Sequence, residues 1–133
     1  MRAEADEQIS AFLENRPGCV ADLCAALIER KINIKAMCVL ETHDIGTLRM
    51  VVDNVELAKE VFSAAGAAYI VVPVVSIVIP NKPGAFTRIA RTMAKANINI
   101  EYVYATAAPG TAQSVGVFRV SDQKAALELD FEE

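Results

Sequence analysis

Two stretches of the sequence carry side chains that could hold a small ligand, and the second stretch repeats the first. Each contains an Asn-x-Pro-Gly turn followed by an Ile-Asn-Ile triplet, and the second turn and triplet lie 66 residues after the first. The residues that could contact a ligand are Asn15, Gly18 and Asn33 in the first copy and Asn81, Gly84 and Asn99 in the second. A repeat of this length exceeds the usual solenoid unit and predicts two copies of a small domain.

The repeated turn has a chemistry suited to both ends of a free amino acid. Its glycine lets the backbone approach a ligand closely. The helix predicted to begin there presents unpaired N–H groups and a positive dipole end to a carboxylate. The asparagine before it supplies a donor and an acceptor. The second asparagine of each copy follows the helix and could reach the same sheet edge or its counterpart in a neighbouring copy. These groups predict binding without catalysis.

The sequence offers little material for catalysis, or for a metal or cofactor site. Its one histidine, His43, stands beside Asp44 in a polar turn, and neither a nucleophile–base pair nor a phosphate loop is present. Cys19 follows the first turn glycine, where a helix N-terminus could acidify a thiol, but no histidine is near it in sequence. We therefore predict that the chain is not an enzyme and binds neither a cofactor nor a metal.

Composition and charge narrow the class of protein. The chain has 133 residues, 53% of them hydrophobic, and a formal net charge of −4. Its lysines and arginines are scattered, which argues against a nucleic-acid partner. The polar N-terminus is not a signal peptide, and the longest apolar run, residues 67–79, is too short to span a membrane. Three cysteines without metal-type spacing indicate reduced thiols in a cytoplasmic protein.

Hydrophobic periodicity predicts the order β-α-β-β-α-β for the first copy. Apolar residues at helical spacing mark its first helix, namely Val20, Leu23, Cys24, Leu27 and Ile28. Strands are predicted at residues 9–13, 34–40, 48–52 and 69–72, with a turn at 42–46. The second helix is predicted to begin with Asp53 as N-cap, three residues before Glu56, and to stop at Gly66. This order is that of a ferredoxin-like unit.

The second copy repeats the pattern but ends early. Strands are predicted at residues 74–79, 100–106 and 114–120 and a helix at 86–96, with a strand break at Pro73 and a turn around Pro109-Gly110. The residues after Asp122 have room for only one element. Their apolar residues fit both the spacing of a helix and the alternation of a strand, and we favour a helix. The second sheet should then lack its last strand and have an open edge, which predicts a homodimer.

The doubled Asn-x-Pro-Gly turn, the helix stripe and Ile-Asn-Ile together resemble the ACT domain family over about residues 8–130. The motif is similar to that of the serine-binding ACT domain of phosphoglycerate dehydrogenase, and the whole chain to stand-alone tandem ACT proteins. The resemblance implies an α+β fold of two ferredoxin-like βαββαβ units in tandem, with antiparallel sheets and helices on one face. The domains would be residues 1–73 and 74–133, the second truncated at its C-terminus.

The resemblance also implies a function. In this family an amino acid is held between paired ACT domains by the glycine turn and the two asparagine positions, which here are the six residues named first. The chain would be a regulatory protein of amino-acid metabolism. Serine-binding relatives have a histidine two residues before the first asparagine, where this chain has Leu13 and Ile79, so the ligand need not be serine.

Two other interpretations stay open on the sequence alone. The chain could be a regulatory subunit that acts by protein contact on a biosynthetic enzyme, as the small subunit of acetolactate synthase does. The motif residues could also be purely structural. Gly18 and Gly84 could only close tight turns, the first asparagine of each copy could be a simple helix cap, and Asn33 and Asn99 could end helices in left-handed geometry.

Overall fold

The computed structural model of the chain describes residues 1–42 and 45–131, so His43, Asp44 and the centre of the predicted turn lie outside the described residues. The described part contains β1(Arg2–Glu14), α1(Cys19–Glu29), β2(Ile34–Thr42), β3(Ile45–Val52), α2(Val55–Ala64), β4(Ala68–Pro80), α3(Ala85–Lys95), β5(Ile100–Thr106), β6(Gln113–Val120) and α4(Gln123–Leu127). None of the helices in this part is long and apolar enough to cross a membrane. The α+β class is confirmed.

The chain divides into two compact units, which we call the N-terminal and the C-terminal unit. The N-terminal unit is residues 7–72, and the C-terminal unit is residues 73–133 together with residues 1–6. Both long strands, β1 and β4, therefore contribute residues to both units. The domain bounds predicted from the sequence were 1–73 and 74–133. The spatial division instead places residues 1–6 with the C-terminal unit.

In the N-terminal unit the strand order is β2-β3-β1-β4, and β3 pairs antiparallel with both β1 and β2. One cluster of buried side chains joins this sheet to both helices, with Ile9 and Ala11 from β1, Leu23 and Leu27 from α1, and Phe62 from α2. Both helices therefore pack on one face of the sheet, as the resemblance implied. This is the ferredoxin-like arrangement, which sets the start of α1 directly after the end of β1.

The C-terminal unit repeats this order as β1-β4-β6-β5, with β6 antiparallel to both β4 and β5. Its core contains Ile77 and Ile79 from β4, Ile89 and Met93 from α3, and Phe118 from β6. Ile89 and Met93 lie 66 residues after Leu23 and Leu27, so the repeat seen in the sequence is a repeat of buried positions.

The predicted open edge of the second sheet is wrong, because the beginning of β1 fills it. No strand follows β6 in the described residues, yet Arg2–Asp6 of β1 lies beside β4 in the same unit. Met1 and Ala3 pack against the core of this unit, and the Ser76 hydroxyl donates to Oδ2 of Asp6 at 3.2 Å. The missing last strand of the second copy is thus supplied from the other end of the chain.

Of three local predictions, two are wrong and one is confirmed. Pro73 does not break the strand, because β4 runs through it and its carbonyl still accepts a hydrogen bond from Arg119 at 2.9 Å. The N-cap of α2 is Asn54 rather than Asp53, since the Asn54 side chain accepts from Leu57 N–H at 3.1 Å. The residues after Asp122 do form a helix, α4, as favoured from the sequence.

Candidate functional site

The two glycine turns have nearly the same backbone geometry. Gly18 has φ 93° and ψ −20°, and Gly84 has φ 88° and ψ −13°, both in the left-handed region that disfavours L side chains. In each turn the glycine carbonyl accepts the first helical hydrogen bond, from Asp22 N–H at 2.8 Å and from Arg88 N–H at 3.1 Å. The backbone conformation alone therefore favours glycine at both positions, whatever else the residue does.

Each glycine also leaves open space in front of a helix start. No side chain caps α1 or α3, and a Cβ atom placed on Gly18 or Gly84 would meet no atom of the described protein within 4 Å. The first-turn N–H groups of a helix have no intrahelical partner, and they carry the positive end of the helix dipole. The space beside each turn can therefore receive a negatively charged group, such as a carboxylate.

Asn33 and Asn99 lie at the other end of the first helix of their units. Because α1 has 11 residues, about 16 Å of helix separates the glycine turn from the strand that follows. The residues in left-handed geometry after the helices are Lys31 and Asn97, with φ 56° and 58°, so the helix-ending interpretation of Asn33 and Asn99 is wrong. One unit does not bring its turn and its second asparagine together.

Asn33 and Asn99 are held by their backbones, and their side chains are exposed. Asn33 N–H donates to Oδ1 of Asp53 at 3.0 Å, and Asn99 N–H donates to Oγ of Ser121 at 2.9 Å. Neither side-chain amide makes a hydrogen bond within residues 1–42 and 45–131. Each amide can therefore donate to and accept from a molecule outside its own unit.

The side-chain amide of Asn81 is engaged within its own unit. Both Asn15 and Asn81 are exposed. The Asn81 side-chain amide donates to the carbonyl of Thr111 at 2.9 Å and to that of Ala108 at 3.4 Å, so it fastens the loop between β5 and β6. Its nitrogen is therefore engaged in structure, and only its oxygen would be available to a ligand.

Two residues beside the turns were overlooked in the sequence. The variable position of the Asn-x-Pro-Gly turn is Arg16 in one copy and Lys82 in the other, so both turns carry a positive charge. Arg16 pairs with Glu14 at 3.1 Å, whereas Lys82 has no ion pair in the described part of the chain. The sequence already shows a cation at the variable position of both turns, and this shared charge could have identified the two residues.

Concave surfaces accompany both turns. In the N-terminal unit a cavity of about 310 Å³ is lined by Arg16, Cys19 and Asp22 at the start of α1 and by Gly66 beyond α2. In the C-terminal unit a smaller depression of about 170 Å³ is lined by Asn81, Lys82, Ala85, Phe86, Ala105 and Ser114. Both volumes are modest for a ligand pocket, which suits a molecule the size of an amino acid better than a nucleotide.

The thiols and acidic groups do not form a second kind of site. Residues 1–42 and 45–131 contain no group of three or more histidine, cysteine, aspartate or glutamate side chains arranged to hold a metal. Burial raises the pKa of the Cys24 thiol, and burial also raises that of Cys38 although the nearby Arg49 guanidinium opposes the shift. A raised thiol pKa lowers the thiolate fraction at neutral pH, which makes these two cysteines poor nucleophiles.

Known proteins share this repeated fold. The family described as ACT domain pair matches residues 5–132. The chain is similar to the crystal structure of protein BT0572 from Bacteroides thetaiotaomicron, with 30% identity, a TM-score of 0.87, and coverage of 95% of this chain and 86% of that one. It also resembles the ligand-free regulatory subunit of aspartate kinase from Thermus thermophilus, with 21% identity, a TM-score of 0.69 and coverage of 96% and 93%. No curated protein matches the sequence.

Proposed function

The chain belongs to the ACT domain family, and from this premise we propose that it is a non-catalytic regulatory protein of amino-acid metabolism that binds a free amino acid. The ligand would lie at the glycine turns and the second asparagines of the two copies. The doubled motif supports this ligand position from the sequence. The open helix starts at Gly18 and Gly84, which no side chain of the described residues caps, support it from the structure.

The glycine turn would take the carboxylate of the amino acid. The first N–H group of each helix donates to a turn carbonyl, Cys19 to Arg16 and Ala85 to Lys82, both at 3.4 Å. The N–H groups that follow in the first turn have no intrahelical acceptor, and anions are favoured at such a helix start. The neighbouring cation, Arg16 or Lys82, adds a positive charge of longer reach. A side chain on the glycine would occupy the position that the carboxylate needs.

The ammonium end would be held by an asparagine of another domain. Asn33 and Asn99 stand too far along their helices to reach the turn of their own unit, and their side-chain amides make no hydrogen bond within the described residues. A second chain would bring an asparagine oxygen to the turn of the first, and we therefore propose a homodimer with ligands between domains of two chains. The homodimer is thus proposed from the distance between the turn and the second asparagine, and not from an open sheet edge.

The residues that precede the asparagines bear on which amino acid is bound. Leu13 packs against the core of the N-terminal unit, and Ile79 is 4% exposed in the core of the C-terminal unit. Neither supplies the polar group that serine-binding relatives have at this position. We therefore propose an amino acid other than serine.

The cysteines support a proposal for the compartment. Cys19, Cys24 and Cys38 are all free thiols, and free thiols are typical of reducing compartments. We propose that the protein acts in the cytoplasm, where free amino acids are synthesised.

A thermal-shift screen of the twenty common amino acids at millimolar concentration tests the proposal. Ligand at about a hundred times its dissociation constant should raise the free energy of unfolding by roughly 2.7 kcal/mol. One amino acid, or a chemically related pair, should shift the melting temperature while the others do not. A screen in which no amino acid shifts the melting curve contradicts the proposal.

A second candidate function is regulation through protein contact, on a biosynthetic enzyme such as acetolactate synthase. The observation that favours it is β2, the edge strand of the N-terminal unit. Val39 is 52% exposed, Leu40 42% and Met37 38% on that strand. Exposed apolar side chains on an edge strand are typical of a protein-binding surface. Co-purification of a large enzyme with the wild-type chain, lost in Val39→Lys, would favour this function over amino-acid sensing.

A further inference from the structure

A line of cations runs along the exposed side of α3. Arg88, Arg91 and Lys95 are exposed and follow the i, i+3, i+7 spacing of one helix face, so they span about 10 Å of the helix. None of the three forms an ion pair with residues 1–42 or 45–131. Elsewhere most arginines have an acidic partner, as in the pairs Arg2–Glu4 and Arg119–Glu101. These cations look scattered in the sequence, but the helix aligns them on one face.

These cations line a groove of about 590 Å³ in the C-terminal unit. Thr92 of α3 lies between them, and Leu129 and Asp130 form the opposite wall. The volume falls within the range of small-molecule sites, about 300–1,000 Å³. The groove is separate from the depression at the Gly84 turn, whose lining includes none of the three cations.

The groove exists because the last helix of the second copy is short. In the N-terminal unit α2 has 10 residues, and its Glu60 reaches Arg30, the C-cap residue of α1, at 3.5 Å. In the C-terminal unit the corresponding helix, α4, has 5 residues and ends at Leu127. The chain beyond Leu127 does not continue as helix, so the side of α3 that a longer helix would cover is left open.

The charge along this face is specific to the second copy. The positions of α1 that correspond to Arg88, Arg91 and Lys95, 66 residues earlier, are Asp22, Ala25 and Glu29. The two helices share their buried stripe but carry opposite charge on the exposed face. Like charges at this spacing repel one another. Asp130 is the one acidic side chain in the lining of the groove, against three cations, so the described lining keeps a net positive charge that suits a negatively charged ligand.

We propose that the groove beside α3 is a second ligand site, which takes a small molecule with two or more negative charges, a phosphate ester or a polycarboxylate. Arg88 and Arg91 donate forked hydrogen bonds to anionic oxygens, and Lys95 supplies a point charge at the far end of the groove. Thr92 and Leu129 contact the uncharged part of the ligand. Such a ligand would be distinct from the amino acid proposed at the glycine turns.

Calorimetric titration of the intact chain with pyrophosphate and with citrate tests the site. The anion that binds with the higher affinity shows whether the site recognises phosphate or carboxylate groups. We expect binding to the wild-type protein that weakens with added salt. Arg88→Gln with Arg91→Gln should weaken it at least about tenfold, since charge-assisted hydrogen bonds are lost. The matched control, Arg2→Gln with Lys124→Gln, changes the net charge equally and should leave the affinity within about twofold, because both residues lie outside the groove.

Three results would overturn this site. The first is that neither anion binds the wild-type chain. The second is that the control double variant loses as much affinity as the double variant of Arg88 and Arg91. The third is that a folded Arg88→Gln, Arg91→Gln protein binds with full affinity. Gly84→Asn adds a further discrimination, because it alters the glycine turn and leaves the three cations in place. Loss of anion binding in Gly84→Asn, with no loss in the glutamine variants, would place the anion at the turn and contradict the groove.

Discussion

Asn33 and Asp53 exchange two hydrogen bonds: Asn33 N–H donates to Oδ1 of Asp53 at 3.0 Å, and Asp53 N–H donates to the Asn33 carbonyl at 3.1 Å. The C-terminal unit repeats the exchange between Asn99 and Ser121, with both distances at 2.9 Å. Each pair ties the residue before a strand to the end of a neighbouring strand. Each pair therefore fixes the backbone from which a candidate ligand-binding amide projects.

Removing the acceptor of this pair should destabilise the fold and loosen Asn33. We expect Asp53→Ala to lower the free energy of unfolding by about 1 kcal/mol, the usual net contribution of a hydrogen bond. Asp53→Asn keeps an acceptor oxygen and should lose less than half of that. Urea unfolding of the two variants measures the difference. Equal destabilisation by alanine and asparagine would mean that the hydrogen bond is not what Asp53 contributes.

Substitution of the turn glycines separates backbone strain from ligand contact. Because both glycines have positive φ and open space around them, Gly18→Ala or Gly84→Ala should cost about 1–2 kcal/mol through the backbone alone. Asparagine tolerates this conformation better, so Gly18→Asn should stay closer to wild-type stability while its side chain obstructs the ligand. Denaturant midpoints and amino-acid affinity, measured on the same proteins, check both effects. Valine is a poor choice here, because a β-branched residue adds strain at positive φ.

The strand supplied by the N-terminus should be necessary for the C-terminal unit. Ala3 packs against the core of that unit, whereas Glu4 is exposed. We expect Ala3→Asp to lower the free energy of unfolding by about 1–3 kcal/mol, since it places an unpaired charge in a half-buried apolar position. Glu4→Asp is the matched control and should be within about 0.5 kcal/mol of wild type. Similar melting temperatures for both variants would contradict the assignment of β1 to this unit.

The partly buried thiol of Cys24 should make the fold sensitive to alkaline pH. Burial raises the pKa of Cys24 above its ordinary value, so on raising the pH the unfolded chain loses this proton before the folded chain does. The folded state then binds more protons, and stability falls as the pH rises through the ordinary thiol pKa. In Cys24→Ala the denaturant midpoint should fall less between neutral pH and that range than in wild type. An unchanged alkaline loss would exclude Cys24 as a contributor.

The elements with strong periodicity were predictable from the sequence. The stripes that give Leu23 and Leu27 in α1 and Ile89 and Met93 in α3 match the buried residues of both cores. The glycine turns were also predictable, because a Pro-Gly pair at a helix start restricts the backbone to few conformations. These features depend on local chemistry, which a sequence displays directly.

The features that sequence reasoning missed depend on contacts distant in the chain. Within the strand Arg2–Asp6 only Ala3 packs as an apolar side chain against the core, among charged neighbours, so the hydrophobic alternation is weak. Asp53 and Asn54 are both competent N-caps, and the choice falls on Asn54 because Asp53 is occupied by Asn33, 20 residues away. The sequence left open whether the second asparagine reaches the glycine turn of its own copy, whereas the 11 residues of α1 put about 16 Å of helix between them.

Calorimetric titration of the wild-type chain with each common amino acid tests the central claim most directly. The account predicts saturable heat for one amino acid or a related pair, with that binding abolished in a folded Gly18→Asn, Gly84→Asn protein. It further predicts that Asn33→Ala with Asn99→Ala weakens the same binding. No saturable heat for any amino acid, or full binding by the double glycine variant, would contradict amino-acid sensing at the glycine turns.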